Sequence, residues 1–105
     1  MANPFAGEVA VTLDGERRVC KLTLGALAEL ESDLGEESLV ALIERFEGTN
    51  YKASDVLALL VAGLRGGGWT GTRQDLLTAE IEGGLEEAAR VAAKLLVVAF
   101  APFGS

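Results

Sequence analysis

The stretch EVAVTLDGERRVCKL, Glu8 to Leu22, decides how the rest of this chain has to fold. Val9, Val11 and Leu13 alternate with Glu8, Ala10 and Thr12. A period of two places every second side chain on one face of an extended strand. Asp14-Gly15 follows, the dipeptide that best accepts the positive φ angles of a tight two-residue turn. From Arg18 to Leu22 the alternation resumes, with Cys20 and Leu22 opposite Val19 and Lys21. The reading is a β-hairpin with one apolar face. A lone hairpin is marginal in water, so this face must be laid on helices.

Everything after the hairpin reads as helix. Thr23 is placed to cap a helix that carries Leu27, Leu30 and Leu34 at helical spacing and stops at Gly35. Ser38 caps a second, with Leu39, Leu42, Ile43 and Phe46 as its stripe and Gly48 at its end. After a loop to Ala53, Ser54 is expected to cap a third, with Asp55 complementing the helix dipole in its first turn. Leu57, Leu60, Val61 and Leu64 form its stripe, and Gly66-Gly67-Gly68 ends it. Thr72 and Asp75 resemble a capping box for a short fourth helix through Leu76, Leu77 and Ile81, broken by Gly83-Gly84. Leu85 to Phe100 is the longest, with Leu85, Ala89, Ala92, Leu96, Ala99 and Phe100 near one face and Pro102 as its stop. The expected architecture is α+β: an N-terminal β-hairpin followed by about five α-helices, mostly helical, in a single small domain. Residues 1–6 read as a loose arm, with docking of Phe5 on the core as the alternative; residues 7–23 form the hairpin and 24–101 the helical part.

Composition narrows the function. The chain has 105 residues, half of them apolar, and a formal net charge of −7. Nucleic-acid binding needs clustered Lys or Arg to neutralise phosphates. Here the basic residues are scattered, and only Arg17 and Arg18 are adjacent. The acidic balance reads as a solvated surface, with recognition of a basic partner as the alternative. Cys20 is the single cysteine, so no internal disulfide can form, which fits a reducing compartment. No secretory leader is visible. The most apolar run, Leu95 to Phe103, is far short of the ~20 residues a membrane span requires. The expectation is a protein of the cytoplasm with neither nucleic acid nor membrane as partner.

The search for chemistry returns little. Histidine is absent, so the usual base for a Ser or Cys nucleophile is missing. Cys20 reads as a small buried hydrophobe. One Cys without His excludes the common zinc patterns. Glu29, Glu31, Asp33, Glu36 and Glu37 lie close together but lack the spacing of a calcium loop, and a solvated helix face accounts for them. The run Gly66-Gly67-Gly68-Trp69-Thr70-Gly71-Thr72 has no Lys for a phosphate loop and follows a helix, so it reads as a connector. No enzyme and no cofactor are expected. The residues singled out for protein binding are Trp69, Leu95, Val98, Phe100 and Phe103. Trp69 is either a core plug or an exposed anchor of the kind enriched at hot spots. The last helix is apolar nearly all round, so it is either buried on every side or meets a partner or a second copy.

Several runs resemble one family in sequence and in order: Gly7-Glu8-Val9, Leu13-Asp14-Gly15, Leu22 to Glu31, Leu39-Val40-Ala41-Leu42 with Arg45-Phe46, Asp55-Val56-Leu57 and Gly63-Leu64-Arg65-Gly66-Gly67. Over roughly Gly7 to Phe100 the chain is similar to the small "gene transfer agent family protein" family. That family lies in tail-gene clusters of gene transfer agents and related prophages, and its members are labelled tail tube proteins and also grouped with phage tail assembly chaperones. The resemblance implies a role in tail morphogenesis. Its implied partners are the tape-measure protein, the tail tube protein and further copies of the chain. Its implied place is the bacterial cytoplasm for a chaperone, or the tail of the released particle for a structural component. A ring-forming tube subunit needs far more strand than one hairpin, so the helical content favours the chaperone. The family supplies no catalytic motif to carry over.

Overall fold

The Asp14-Gly15 turn closes as expected in the computed structural model, which describes residues 2–3, 6–35 and 38–100. Both residues take positive φ, 51° and 81°. They join β1 (Glu8–Leu13) to β2 (Glu16–Lys21) in an antiparallel pair that sets Val9 opposite Cys20 and Leu13 opposite Glu16. Val9, Val11, Leu13 and Cys20 are buried. Asn3, within the expected arm, is tied back: its carbonyl accepts from the Ala6 and Glu8 N–H groups at 2.9 and 3.0 Å. Phe5 lies outside the described residues.

Five helices follow: α1 (Leu24–Leu34), α2 (Leu39–Glu47), α3 (Ala53–Gly66), α4 (Arg73–Leu77) and α5 (Gly84–Phe100). Thr23 and Ser38 cap α1 and α2 through their hydroxyls, each accepting at 3.1 Å from the third residue beyond. The Thr72–Asp75 capping box forms, with the Thr72 N–H donating to Asp75 at 2.8 Å and the Asp75 N–H to Thr72 at 3.3 Å. Helix α3 starts earlier than expected. Lys52, not Ser54, is its N-cap. The cause is Asp55, whose carboxylate accepts from the Lys52 N–H at 2.8 Å and so satisfies one of the free amides of the first turn. Helix α4 is also shorter than expected and does not reach Ile81. The chain leaves it at Thr78, and Ile81 forms an antiparallel bridge with Leu13. Around that bridge Asp14 N–H donates to Glu80 O at 2.8 Å and Glu82 N–H to Thr12 O at 3.0 Å.

Helix α3 is the hub, packing against β2, α1, α4 and α5, while α5 also covers β1. Its sequence from Val56 to Leu64 is apolar all round, and only Leu57 in that run is not buried. Leu30, Leu42, Leu59, Leu64, Leu95 and Val91 are fully enclosed. Each such side chain contributes ~1.5–3 kcal/mol by leaving water. Glycines let the hairpin come close. A Cβ on Gly63 would stand 2.7 Å from a Leu95 methyl and 3.2 Å from the Cys20 Cβ. At Gly66 and Gly67 it would strike the Lys21 and Val19 carbonyl oxygens. The end of α3 thus lies along the outer edge of β2, shielding a strand edge that otherwise invites pairing.

The same glycines end the helix. Gly68 has φ of 105°, its N–H donates to Arg65 O at 3.0 Å, and the Trp69 N–H reaches back to Leu64 O at 2.9 Å. This is a Schellman cap, whose usual companion is an apolar contact from the residue just after the turn. Trp69 takes that position and packs half-buried against the core. Helix α2 is held by Leu42, by an ion pair from Arg45 to Asp55 and by stacking of Phe46 on Tyr51, with centroids 4.6 Å apart.

Candidate functional site

The surface opens into apolar grooves flanking α5. The larger, of about 530 Å³, runs between α3, α4 and the start of α5. Val56, Leu57 and Leu60 come from α3, Leu76 and Leu77 from α4, and Leu85 and Ala88 from α5. The connector Ala79–Gly84 makes its remaining wall through Ala79, Ile81 and Gly84. Its conformation follows from the bridge to Leu13, which keeps the segment extended. Gly83 and Gly84, at φ of 89° and 69°, then turn it into α5. A second hollow of about 280 Å³ shares Ala53, Val56 and Leu85 with the first and extends it to Tyr51 and Ala89. The two hollows adjoin through these shared residues. Leu85 is 68% exposed beside it, Leu77 57% and Tyr51 38%.

A third hollow of about 350 Å³ lies between α2 and the last turns of α5, lined by Ile43, Phe46, Glu47, Ala93, Leu96, Val97 and Phe100. Val97 and Phe100 are exposed there. The residues singled out from sequence fare differently. Phe100 lines this hollow. Leu95 is wholly buried against α3, where it packs by Gly63, so its part is in the core and it offers no contact surface. Val98 is half-buried against the core. Trp69 lies elsewhere, beside a polar cleft with Asp14, Glu16, Arg18 and Asp75, its indole folded over Gly71. Phe103 lies outside the described residues. The structure therefore does not gather the five into one site. Leu77, Leu85 and Val97, all exposed, are not singled out by the sequence, because an apolar residue on a largely apolar helix carries no signal of its exposure.

The electrostatics sort the charged residues. Arg45 grips Asp55 with two hydrogen bonds, Nε to Oδ2 at 2.9 Å and Nη2 to Oδ1 at 2.8 Å. Burial of Asp55 works to raise its pKa, but the bonds from Arg45 and from the Lys52 N–H outweigh it and hold the carboxyl below its ordinary value. Arg18 pairs with Glu16, Arg65 with Glu29 and Arg90 with Glu87. Glu80, Glu82 and Glu86 are exposed and take part in no ion pair among the described residues. Burial pushes the Cys20 thiol up to about 12. Among the described residues no three acidic, Cys or His groups converge as metal ligands, and no helix is long and apolar enough to cross a membrane.

No curated protein and no solved structure matches the chain. The family described as phage tail tube protein, GTA-gp10, matches residues 6–102.

Proposed function

The chain belongs to the phage tail tube protein, GTA-gp10 family, and from that premise we propose that it is a non-catalytic assembly protein of the tail, a chaperone that binds the tape-measure protein. The observation that carries this reading is the apolar groove between α3, α4 and α5, with Leu77 and Leu85 standing exposed at its margin. A groove of this kind takes the apolar face of an amphipathic helix, reading side chains at helical spacing. A tape-measure protein is long and helical, and its apolar stripe needs cover until the tube closes around it. The scarcity of strand supports the same choice, since the sheet consists of β1 and β2 alone among the described residues. A non-catalytic role is supported by the lack of histidine and by a thiol that is buried and protonated.

The family's description favours a second reading, a tube-associated component retained in the particle. Quantitative mass spectrometry of purified tail-bearing particles, beside the lysate they came from, separates the two. The chaperone reading expects the chain to be abundant in the lysate and missing from particles. Retention at a fixed ratio to the tube subunit overturns it in favour of the structural component.

A further inference from the structure

Helix α2 is joined to the rest of the fold more lightly than the helices it meets. Leu42 is its one buried residue, against nine in α3 and six in α5. Val40 is 63% exposed. The hollow of about 350 Å³ lies between Ile43 and Phe46 of α2 and Ala93, Leu96, Val97 and Phe100 of α5, so these apolar faces forgo part of their mutual contact. What holds α2 is Leu42, the two hydrogen bonds from Arg45 to Asp55 at 2.8 and 2.9 Å, and the stack of Phe46 on Tyr51. Tyr51 belongs to the body of the fold, because it lines the smaller hollow with Val56 of α3 and with Leu85 and Ala89 of α5. Between Phe46 and Tyr51 the chain passes through Thr49 at φ of 59°. A β-branched residue is crowded in that left-handed region and stays there only while its surroundings hold it. Here the turn is closed from α2 itself, by the Asn50 N–H donating to Arg45 O at 2.7 Å.

We propose that α2 is a strap that opens from the body as a unit, turning at Thr49 and latched by Arg45 on Asp55, while the hairpin, α3 and α5 stay folded. Elements that bury little apolar surface open at a lower free energy than the whole domain. The main packing runs through α3 against β2, α1, α4 and α5, and through α5 against β1, so it does not pass through α2. When the strap lifts, Arg45 and Asp55 both return to water, which offsets part of the loss of their pairing. Thr49 is then free to leave the left-handed region. The α5 wall of the hollow, Ala93 and Leu96, is bared beside Val97 and Phe100, which are exposed already. The closed form thus conceals part of an apolar face on the last turns of α5, and one ion pair sets how readily that face is shown.

The test is native-state hydrogen exchange of the full chain at neutral pH, read by mass spectrometry over α2, α3 and α5. Amides of α2 should exchange at least about tenfold faster than those of α3 and α5. Gly67→Ala weakens the packing of α3 on β2 at a site remote from the strap. It should speed exchange in α3 about tenfold while α2 keeps its wild-type rate, because the strap opens without unfolding the body. Arg45→Met removes the latch and should speed exchange in α2 about tenfold or more. Thr49→Gly should slow it several-fold, since glycine takes this φ without crowding and so favours the closed form. Exchange in α2 as slow as in α3, exchange in α2 that rises together with α3 in Gly67→Ala, or an α2 rate that either strap variant leaves unchanged overturns the proposal.

Discussion

Replacing Asp55 by Ala should remove about 4 kcal/mol of stability. Asp55 is 5% exposed, and its carboxylate accepts three hydrogen bonds, two from Arg45 and one from the Lys52 N–H that starts α3. Removing one partner of a buried ion pair costs ~3–5 kcal/mol, chiefly because the other charge is left without compensation. Loss of a helix cap alone costs ~1 kcal/mol and overlaps with that figure. Against a total of ~5–15 kcal/mol for a domain of ordinary stability, the variant should be marginal. Urea unfolding followed by far-ultraviolet circular dichroism measures the loss. Asp55→Asn keeps an acceptor for Lys52 and should lose less, and the apolar pair Arg45→Met/Asp55→Leu should recover most of the deficit. The pH dependence has a definite sign. A carboxyl whose folded pKa lies below its ordinary 3.8 contributes stability that is present in full above that value. That contribution is lost as pH falls through the folded pKa. The gap between wild type and Asp55→Asn should therefore be constant near neutrality and begin to close only below about pH 4. A loss under about 1 kcal/mol for Asp55→Ala, or a gap that does not narrow in acid, would refute the assignment of this pair as the clamp between α2 and α3.

Gly67→Ala should destabilise the chain by ~1–3 kcal/mol in urea titration, because the new Cβ meets the Val19 carbonyl of β2 and neither backbone can yield cheaply. Gly63→Ala should cost less, since its nearest neighbour is a Leu95 methyl that can turn aside. Labelling of Cys20 by a thiol-disulfide reagent at pH 8 should be slow and should track unfolding, because the thiol is 0% exposed and held near 12; rapid labelling of the folded protein would show that the hairpin opens locally. Leu85→Ser should change urea stability by no more than ~0.5 kcal/mol, as expected of an exposed position, while abolishing capture of a tape-measure fragment.

The hairpin was legible because its signal is local: alternation on either side of a dipeptide that admits positive φ. Caps at Thr23, Ser38 and Thr72 were legible for the same reason. Two helix boundaries were not. At α3 Ser54 is the better capping residue by type, yet the group that matters is Asp55, three residues beyond Lys52, and its role depends on an arginine ten positions upstream. At α4 the helical spacing of Leu76, Leu77 and Ile81 was overridden by a strand partner that lies far back in sequence. The candidate surface was hidden for a related reason. Periodicity sets Leu85 near one face of α5 with Ala89, Ala92 and Leu96, which are buried, whereas Leu85 itself stands exposed. Leu95 was misjudged in the opposite sense: only a close approach permitted by Gly63 reveals how deeply it sits.

The bonds between the hairpin tip and Glu80 to Glu82 have a consequence for how the protein comes off the ribosome. Asp14 Oδ1 accepts from the Glu80 N–H, a contact that spans 66 residues of chain. The hairpin is synthesised before the helices that cover its apolar face, α3 and α5. A nascent chain therefore emerges with Val9, Val11 and Cys20 uncovered and cannot close over them until α5 has been made. Contacts of such long reach fold slowly, because the loop must be closed before they reward it. Each molecule thus passes through an interval in which its strand edge is open to other chains, and a slow-translating message should lengthen that interval.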